Sequence, residues 1–185
     1  PPQAGRWQQS WQLSEPATLG FDVEVLERTA AEIDDLEGGT SLLVLRHGAP
    51  VVERYFRGAR PQQLHNLKSA SKSVLSALAG IAVGEDLLDL DSPLAELLPG
   101  QWAEEEGKQS ILVRHLLMMS SGLDSTSFGA YGSWVASRDW VRAALERDLV
   151  SPPGTQFSYS TGNTHLLSAV LTKATGRSTL AHARE

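Results

Sequence analysis

The sequence predicts a mixed α/β chain with one antiparallel hairpin ahead of a mostly helical remainder. Three observations carry this. Ser41–Arg46 and Val51–Phe56 are β-rich runs joined by His47-Gly48-Ala49-Pro50, a hairpin signal. From Ser69 to about Val83 the chain is Ser, Ala and aliphatics almost without a break, the pattern of a helix buried on nearly every side. Beyond it, Ser110, Ser137 and Ser178 stand ahead of further helical segments as caps.

Composition narrows the classes. The chain has 185 residues, 41% hydrophobic and 21% charged, which is ordinary globular usage and not disorder. Net charge is −6 with no Lys/Arg block, which argues against nucleic acid as the main partner. With no Cys, disulfides, thiolate catalysis and Cys-ligated zinc are excluded. No apolar run reaches the ~18 residues of a membrane span, and no signal-peptide pattern is present. The chain opens Pro1-Pro2 and not with Met, which is consistent with removal of an upstream segment.

Taken in order, residues 1–20 hold three Pro and two Trp without a period and read as an irregular arm. Asp22 caps a helix to about Leu36, with Val23, Leu26, Ala30 and Ile33 on one face and Gly38-Gly39 as the stop. The hairpin follows, then a polar loop over 58–68 and the helix of 69–83, ended by Gly84. Leu87–Pro99 reads as a loop and a short helix, and Gln101–Ser110 as an acidic surface loop. Ser110 is expected to cap a helix from Ile111 to about Met118. Ser137 is expected to cap another, with Trp140, Val141, Ala144 and Leu145 inward. Ser151-Pro152-Pro153-Gly154 is a turn. Thr164–Thr175 is a helix with Leu166, Leu167, Val170 and Leu171 inward, and Gly176 at C′.

Two features suggest the N-terminal piece of a longer fold. A lone two-stranded sheet is marginal in water, and the helix that Ser178 opens runs only to Glu185. The expectation is that further strands come from a second chain or from sequence not included here.

Chemistry centres on Ser69-Ala70-Ser71-Lys72. Residues i and i+3 share a helix face, so the Lys72 amine comes within reach of the Ser69 hydroxyl. A helix N-terminus favours a developing anion, and a lysine in an apolar stretch is disfavoured in its charged form. That is the Ser–Lys pairing of nucleophile and base. The spacing alone is weak: with twenty Ser and four Lys, chance gives roughly 0.4 such matches. The alternative is a lysine that snorkels to solvent. A second candidate is Tyr159, just before a helix N-terminus, where a phenol suits a proton relay. Its alternative is core packing. Asn163 and Thr161 are candidates to hydrogen-bond a substrate amide, against Asn163 as a helix cap. His165 is a further candidate to line the same cleft, and His115 reads as a helix-surface residue. The five His show no metal-ligand spacing, and there is no Gly-x-Ser-x-Gly elbow.

These residues resemble the serine β-lactamase and penicillin-binding-protein-like hydrolases, on the class C side. Ser69-Ala70-Ser71-Lys72-Ser73 matches that family's Ser-x-x-Lys motif. Asp86–Pro93 with Leu97-Leu98-Pro99, Val113–Leu117 with Ser120-Ser121-Gly122-Leu123, and Pro153–Ser160 with a helix ending Thr175-Gly176 are similar to successive family segments. The resemblance implies an antiparallel sheet flanked by helices plus a mostly helical lobe. Residues 21–185 would supply the first two strands and most of that lobe, with the site in the cleft between sheet and lobe. It implies Ser69 as the acylated nucleophile, with Lys72 and Tyr159 as acid and base. A backbone N–H of Ser69 and a second from a later strand would form the oxyanion hole. No cofactor is implied. The substrate would be a small ester, amide or β-lactam, and a second chain carrying the C-terminal half the partner.

The sequence also departs from the pattern. The class C Tyr-x-Asn becomes Tyr159-Ser160-Thr161, and Met119 stands where the family commonly has His. The run after the tyrosine is closer to the esterase and 6-aminohexanoate-dimer hydrolase branch. No Lys-Thr-Gly-like strand follows Tyr159. Hydrolysis through an acyl-enzyme is thus the expected function. The alternatives are a penicillin-binding or peptide-sensing protein that stalls at the acyl stage, a β-lactamase, and an interaction module with a vestigial site.

Overall fold

A computed structural model describes residues 12–184, so the first part of the arm, residues 1–11, and Glu185 lie outside the described residues. The chain divides into two compact units, Pro1–Asn66 and Leu67–Glu185.

In the first unit, a 3₁₀ turn over Pro16–Leu19 leads to α1, Val23–Asp35. Asp22 caps α1 as expected, accepting from the N–H groups of Glu24 at 2.9 Å and Val25 at 3.2 Å. Of the expected inward face, Ala30 is buried while Val23 is 42% exposed. Gly39 fits because a Cβ there would stand 2.1 Å from the Ile33 carbonyl oxygen.

β1, Ser41–Arg46, pairs antiparallel with β2, Ala49–Tyr55. The turn is shorter than expected. His47 and Gly48 have φ of 52° and 78°, the left-handed pair of a two-residue type I′ hairpin, which matches the twist of the strands. Ala49 and Pro50 therefore belong to β2. Val44 opposes Val52 and Leu45 opposes Pro50, so Val51 is the extra residue of a bulge. Val51 and Val52 are consequently both buried. Arg54 on β2 and Glu27 on α1 form an ion pair.

The second unit is a helical lobe. A 3₁₀ turn, Lys68–Ala70, runs into α2, Ser71–Gly84. α3 is Leu94–Leu97, α4 Val113–Leu117 and α5 Tyr131–Val135. α6 is Trp140–Leu145, α7 Thr161–Thr175 and α8 Thr179–His182. Leu166, Leu167, Val170 and Leu171 of α7 all point inward as expected, against Leu94, Ile111, Val113, Leu116 and the α2 residues Leu75, Leu78, Ala79 and Ala82. Each fully buried aliphatic contributes about 1.5–3 kcal/mol. No described helix is long and apolar enough to cross a membrane.

Several expectations are corrected here. α2 is not buried all round, since Val74 and Ile81 are 50% and 49% exposed. The segment 101–110 is not a plain surface loop. It folds into two 3₁₀ turns, Gln101–Glu104 and Lys108–Ser110, and buries Trp102 and Lys108. The Lys108 ammonium donates to the Leu145 carbonyl at 3.1 Å and pairs with Glu105 at 2.7 Å. Leu145 ends α6, where carbonyls lack intrahelical partners and a cation is favoured. Ser110 does not cap α4, because its hydroxyl donates back to the Gly107 carbonyl at 2.7 Å. Asp139, not Ser137, caps α6, accepting from the Arg142 N–H at 2.9 Å. Trp140 faces outward, 42% exposed. α5 had no counterpart in the sequence reading, and α7 starts three residues before Thr164. Gly176, at φ 69°, and Ser178, capping α8, stand as expected.

Candidate active site

The early start of α7 sets up the site. Ser160 does not cap the helix with its own side chain. The acceptors for its first N–H groups come instead from a distant hydroxyl-rich segment: Thr161 donates to Ser127 Oγ at 2.8 Å and Gly162 to Thr126 Oγ1 at 2.7 Å. Gly162 has no side chain to obstruct this, and a Cβ there would meet Thr126 at 2.9 Å and Ala144 at 3.2 Å. The Ser125 hydroxyl donates to the Tyr159 carbonyl at 2.7 Å, and the Ser158 N–H to the Met119 carbonyl at 2.7 Å. The backbone around Tyr159 is thus fixed on both sides.

The Tyr159 phenol donates to Ser69 Oγ at 2.9 Å. The Lys72 ammonium lies 5.3 Å from the Tyr159 ring centre, a cation–π distance. The structure therefore brings together Ser69, Lys72 and Tyr159, from positions 90 residues apart in sequence for the serine–tyrosine pair. Ser69 is exposed, and Lys72 and Tyr159 are half-buried. The hydrogen bond with Ser69, and then Lys72, hold the Tyr159 phenol below the usual tyrosine range. Ser69 sits in the 3₁₀ turn, two residues before α2 begins, and not in the first turn of the α-helix itself.

Three non-glycine residues with positive φ touch this arrangement. Lys68, at 49°, precedes the serine, Met119, at 54°, offers the carbonyl that holds Ser158, and Phe128 lies at 52°. Such backbone is held against its preference by its surroundings. The Phe128 ring stands 5.9 Å from that of Tyr159, inclined at 45°.

Asn163, expected as a substrate contact, lies inside the lobe. It is 2% exposed, and its Oδ1 accepts from Ser121 Oγ at 2.9 Å. Its amide serves the interior, where a buried polar group needs a partner. Thr161 likewise turns to Ser127, with Oγ1 2.9 Å from Ser127 Oγ. His165 is held edge-on between Trp134 and Trp140, at 5.7 and 5.5 Å. Burial lowers its pKa, with Asp139 opposing. His115 is not a plain surface residue, since its Nδ1 accepts from the Leu112 N–H at 3.1 Å. Sequence reading missed Ser125, Thr126, Ser127 and Phe128. The signal available was the run of hydroxyl residues Ser125-Thr126-Ser127.

A cavity of about 210 Å³ adjoins Lys72, lined by Ser73, Ser76, Leu116, Met119 and Thr164 among others. A larger hollow of about 630 Å³, with Leu97, Trp102, Arg142 and Lys173 in its wall, includes none of Ser69, Lys72 and Tyr159. Among the described residues no three His, Asp or Glu side chains form a group able to hold a metal ion.

Comparison with known proteins identifies the family. The family model described as Beta-lactamase matches residues 26–185. A probable fimbrial assembly protein FimD of Dichelobacter nodosus is 32% identical over 130 residues, 66% of this chain and 33% of that protein. The 6-aminohexanoate-dimer hydrolase of Paenarthrobacter ureafaciens is 26% identical over 183 residues, 88% of this chain and 46% of that enzyme. The crystal structure of a putative beta-lactamase from Bacteroides dorei superposes with a TM-score of 0.66 at 22% identity, covering 85% of this chain and 48% of that one. The chain thus spans between a third and a half of the length of these relatives. With the Beta-lactamase match covering both the Ser69-x-x-Lys72 segment and Tyr159, the chain belongs to the beta-lactamase family, whose fold it carries in part.

Proposed function

We propose that this chain carries the nucleophile and the acid–base groups of a serine hydrolase that cleaves an ester or amide through an acyl-enzyme on Ser69. The observation that supports this reading best is the 2.9 Å hydrogen bond between Tyr159 and Ser69, with Lys72 beside the phenol. As a phenolate, Tyr159 accepts the Ser69 proton while Oγ attacks the substrate carbonyl carbon. Lys72, beside the ring, stabilises the phenolate. The tetrahedral intermediate collapses, the scissile bond breaks, and Tyr159 returns the proton to the departing alcohol or amine. Water then attacks the acyl-enzyme by the same relay in reverse. A second oxyanion donor and a Lys-Thr-Gly-like strand would come from a further polypeptide segment that completes the fold.

The test is denaturing intact-mass spectrometry before and after a serine-reactive fluorophosphonate. One adduct on the 20.0 kDa chain, absent in Ser69→Ala, is the expected result. Lys72→Ala and Tyr159→Phe should slow labelling by about 10²-fold or more. Equal labelling of Ser69→Ala would overturn the mechanism. Stoichiometric labelling by an ester or β-lactam without turnover would favour the acylating, non-hydrolysing alternative.

A further inference from the structure

We infer that Phe128 is a specificity-determining residue of the Ser69 site, and that it selects esters and amides carrying a flat apolar group, an aromatic ring foremost, beside the scissile carbonyl. The inference rests on the reading of Ser69 as nucleophile given above.

Phe128 is 81% exposed. A large aromatic side chain left in water gains little of the burial for which such residues are used. Its backbone is also in the left-handed region, at φ 52°, which a bulky side chain rarely adopts. Neither feature serves local stability. Both persist because the three preceding residues are tied down: Ser125 Oγ donates to the Tyr159 carbonyl at 2.7 Å, Thr126 Oγ1 accepts from Gly162 at 2.7 Å, and Ser127 Oγ accepts from Thr161 at 2.8 Å. The segment that aims Phe128 is therefore the same segment that fixes Tyr159. A ring held by an anchored backbone loses little freedom when a ligand stacks on it.

Position gives the ring its role. Phe128 and Tyr159 have ring centres 5.9 Å apart, and the Tyr159 hydroxyl is bonded to Ser69 Oγ. A carbonyl carbon in contact with Ser69 Oγ lies against the phenol. The next group of the substrate would extend past the phenol toward Phe128, whose ring stands 5.9 Å from that of Tyr159, and an aromatic group there would pair with it. Flat apolar groups profit from that contact, and small aliphatic groups leave the ring uncovered.

The test compares two fluorophosphonates on the intact protein, one with a phenyl-bearing alkoxy group and one with only a small ethoxy group. In each, Ser69 Oγ forms a bond to phosphorus, the P–F bond breaks, fluoride departs, and the serine proton passes to Tyr159. The readout is the ratio of second-order labelling rates, phenyl over ethoxy. The ratio should favour the phenyl probe and fall about tenfold in Phe128→Ala, through the phenyl probe alone. Phe128→Leu should give an intermediate ratio and Phe128→Tyr should restore it. An unchanged ratio with labelling intact would overturn the inference and leave the Ser69 reading standing. Equal slowing of both probes would also overturn it, making Phe128 a support for Tyr159. Absence of labelling by either probe in the unmodified protein would overturn the Ser69 reading itself and this inference with it. Thermal unfolding of Phe128→Ala at the wild-type midpoint excludes a folding defect.

Discussion

Among the described residues of the hairpin unit, the buried apolar side chains are Ala30, Val51 and Val52, while Leu43 and Leu45 on β1 stand 49% and 43% exposed. In the lobe, Leu94, Ile111, Leu116, Leu166, Val170 and Leu171 are each at 1% or below. One unit shows an apolar strand face to solvent, and the other encloses a core of its own. Ser69, Lys72 and Tyr159 all belong to the second. The proposed chemistry needs side chains held to within fractions of an ångström, and its three candidate groups sit on the part that is packed well enough to hold them.

That contrast can be broken by paired truncations. Leu171→Ala should cost about 2–5 kcal/mol in denaturant unfolding of the lobe, because it opens a cavity in a closed core. Leu43→Ala should change stability by no more than about 0.5 kcal/mol, as an exposed substitution does. A comparable cost at Leu43 would mean that its strand face is covered in solution. Gly162→Ala sharpens the comparison inside the lobe. Its new methyl meets Thr126 and Ala144, and should cost about 1–3 kcal/mol. Labelling of Ser69 should slow with it, since Thr126 and its neighbours hold Tyr159.

A smaller effect concerns pH. Burial holds His165 below its ordinary 6.5, against the pull of Asp139. His115 is lowered as well, by burial first and then Arg114, with Asp91 opposing. Below 6.5 the unfolded chain therefore binds protons that the folded lobe refuses. Stability should be fully present above 6.5 and decline as pH falls toward the folded values. Denaturant midpoints between pH 7.5 and about 5 check this, and His165→Gln should reduce the slope. A midpoint that rises on acidification would overturn it.

The candidate site was legible in sequence where its signals are local. Ser69 and Lys72 are three residues apart, and Tyr159 follows a Pro-Gly turn ahead of a helix. The start of α7 was not legible, because Ser160-Thr161-Gly162 is poor helix sequence. Its caps arrive from hydroxyls 34 and 36 residues upstream. Asn163 looked like a polar residue free to meet substrate, and only the approach of Ser121, 42 residues away, turns it inward. The hairpin was placed correctly, but its turn was read two residues too long because Pro50 suggests a loop until the bulge at Val51 accommodates it. Lys108 was hidden by the acidic residues before it, since nothing local foretells that Leu145 will accept from its ammonium.

That lysine gives the lobe a built-in reporter. The other three lysines, Lys68, Lys72 and Lys173, are exposed or half-exposed, whereas Lys108 is sealed. A slow acetylating reagent, or trypsin, meets Lys108 only in molecules whose lobe has opened around the end of α6. The pace of modification at that one amine, read by peptide mass against the other three, therefore clocks the opening of the packed unit while the rest of the chain is still native.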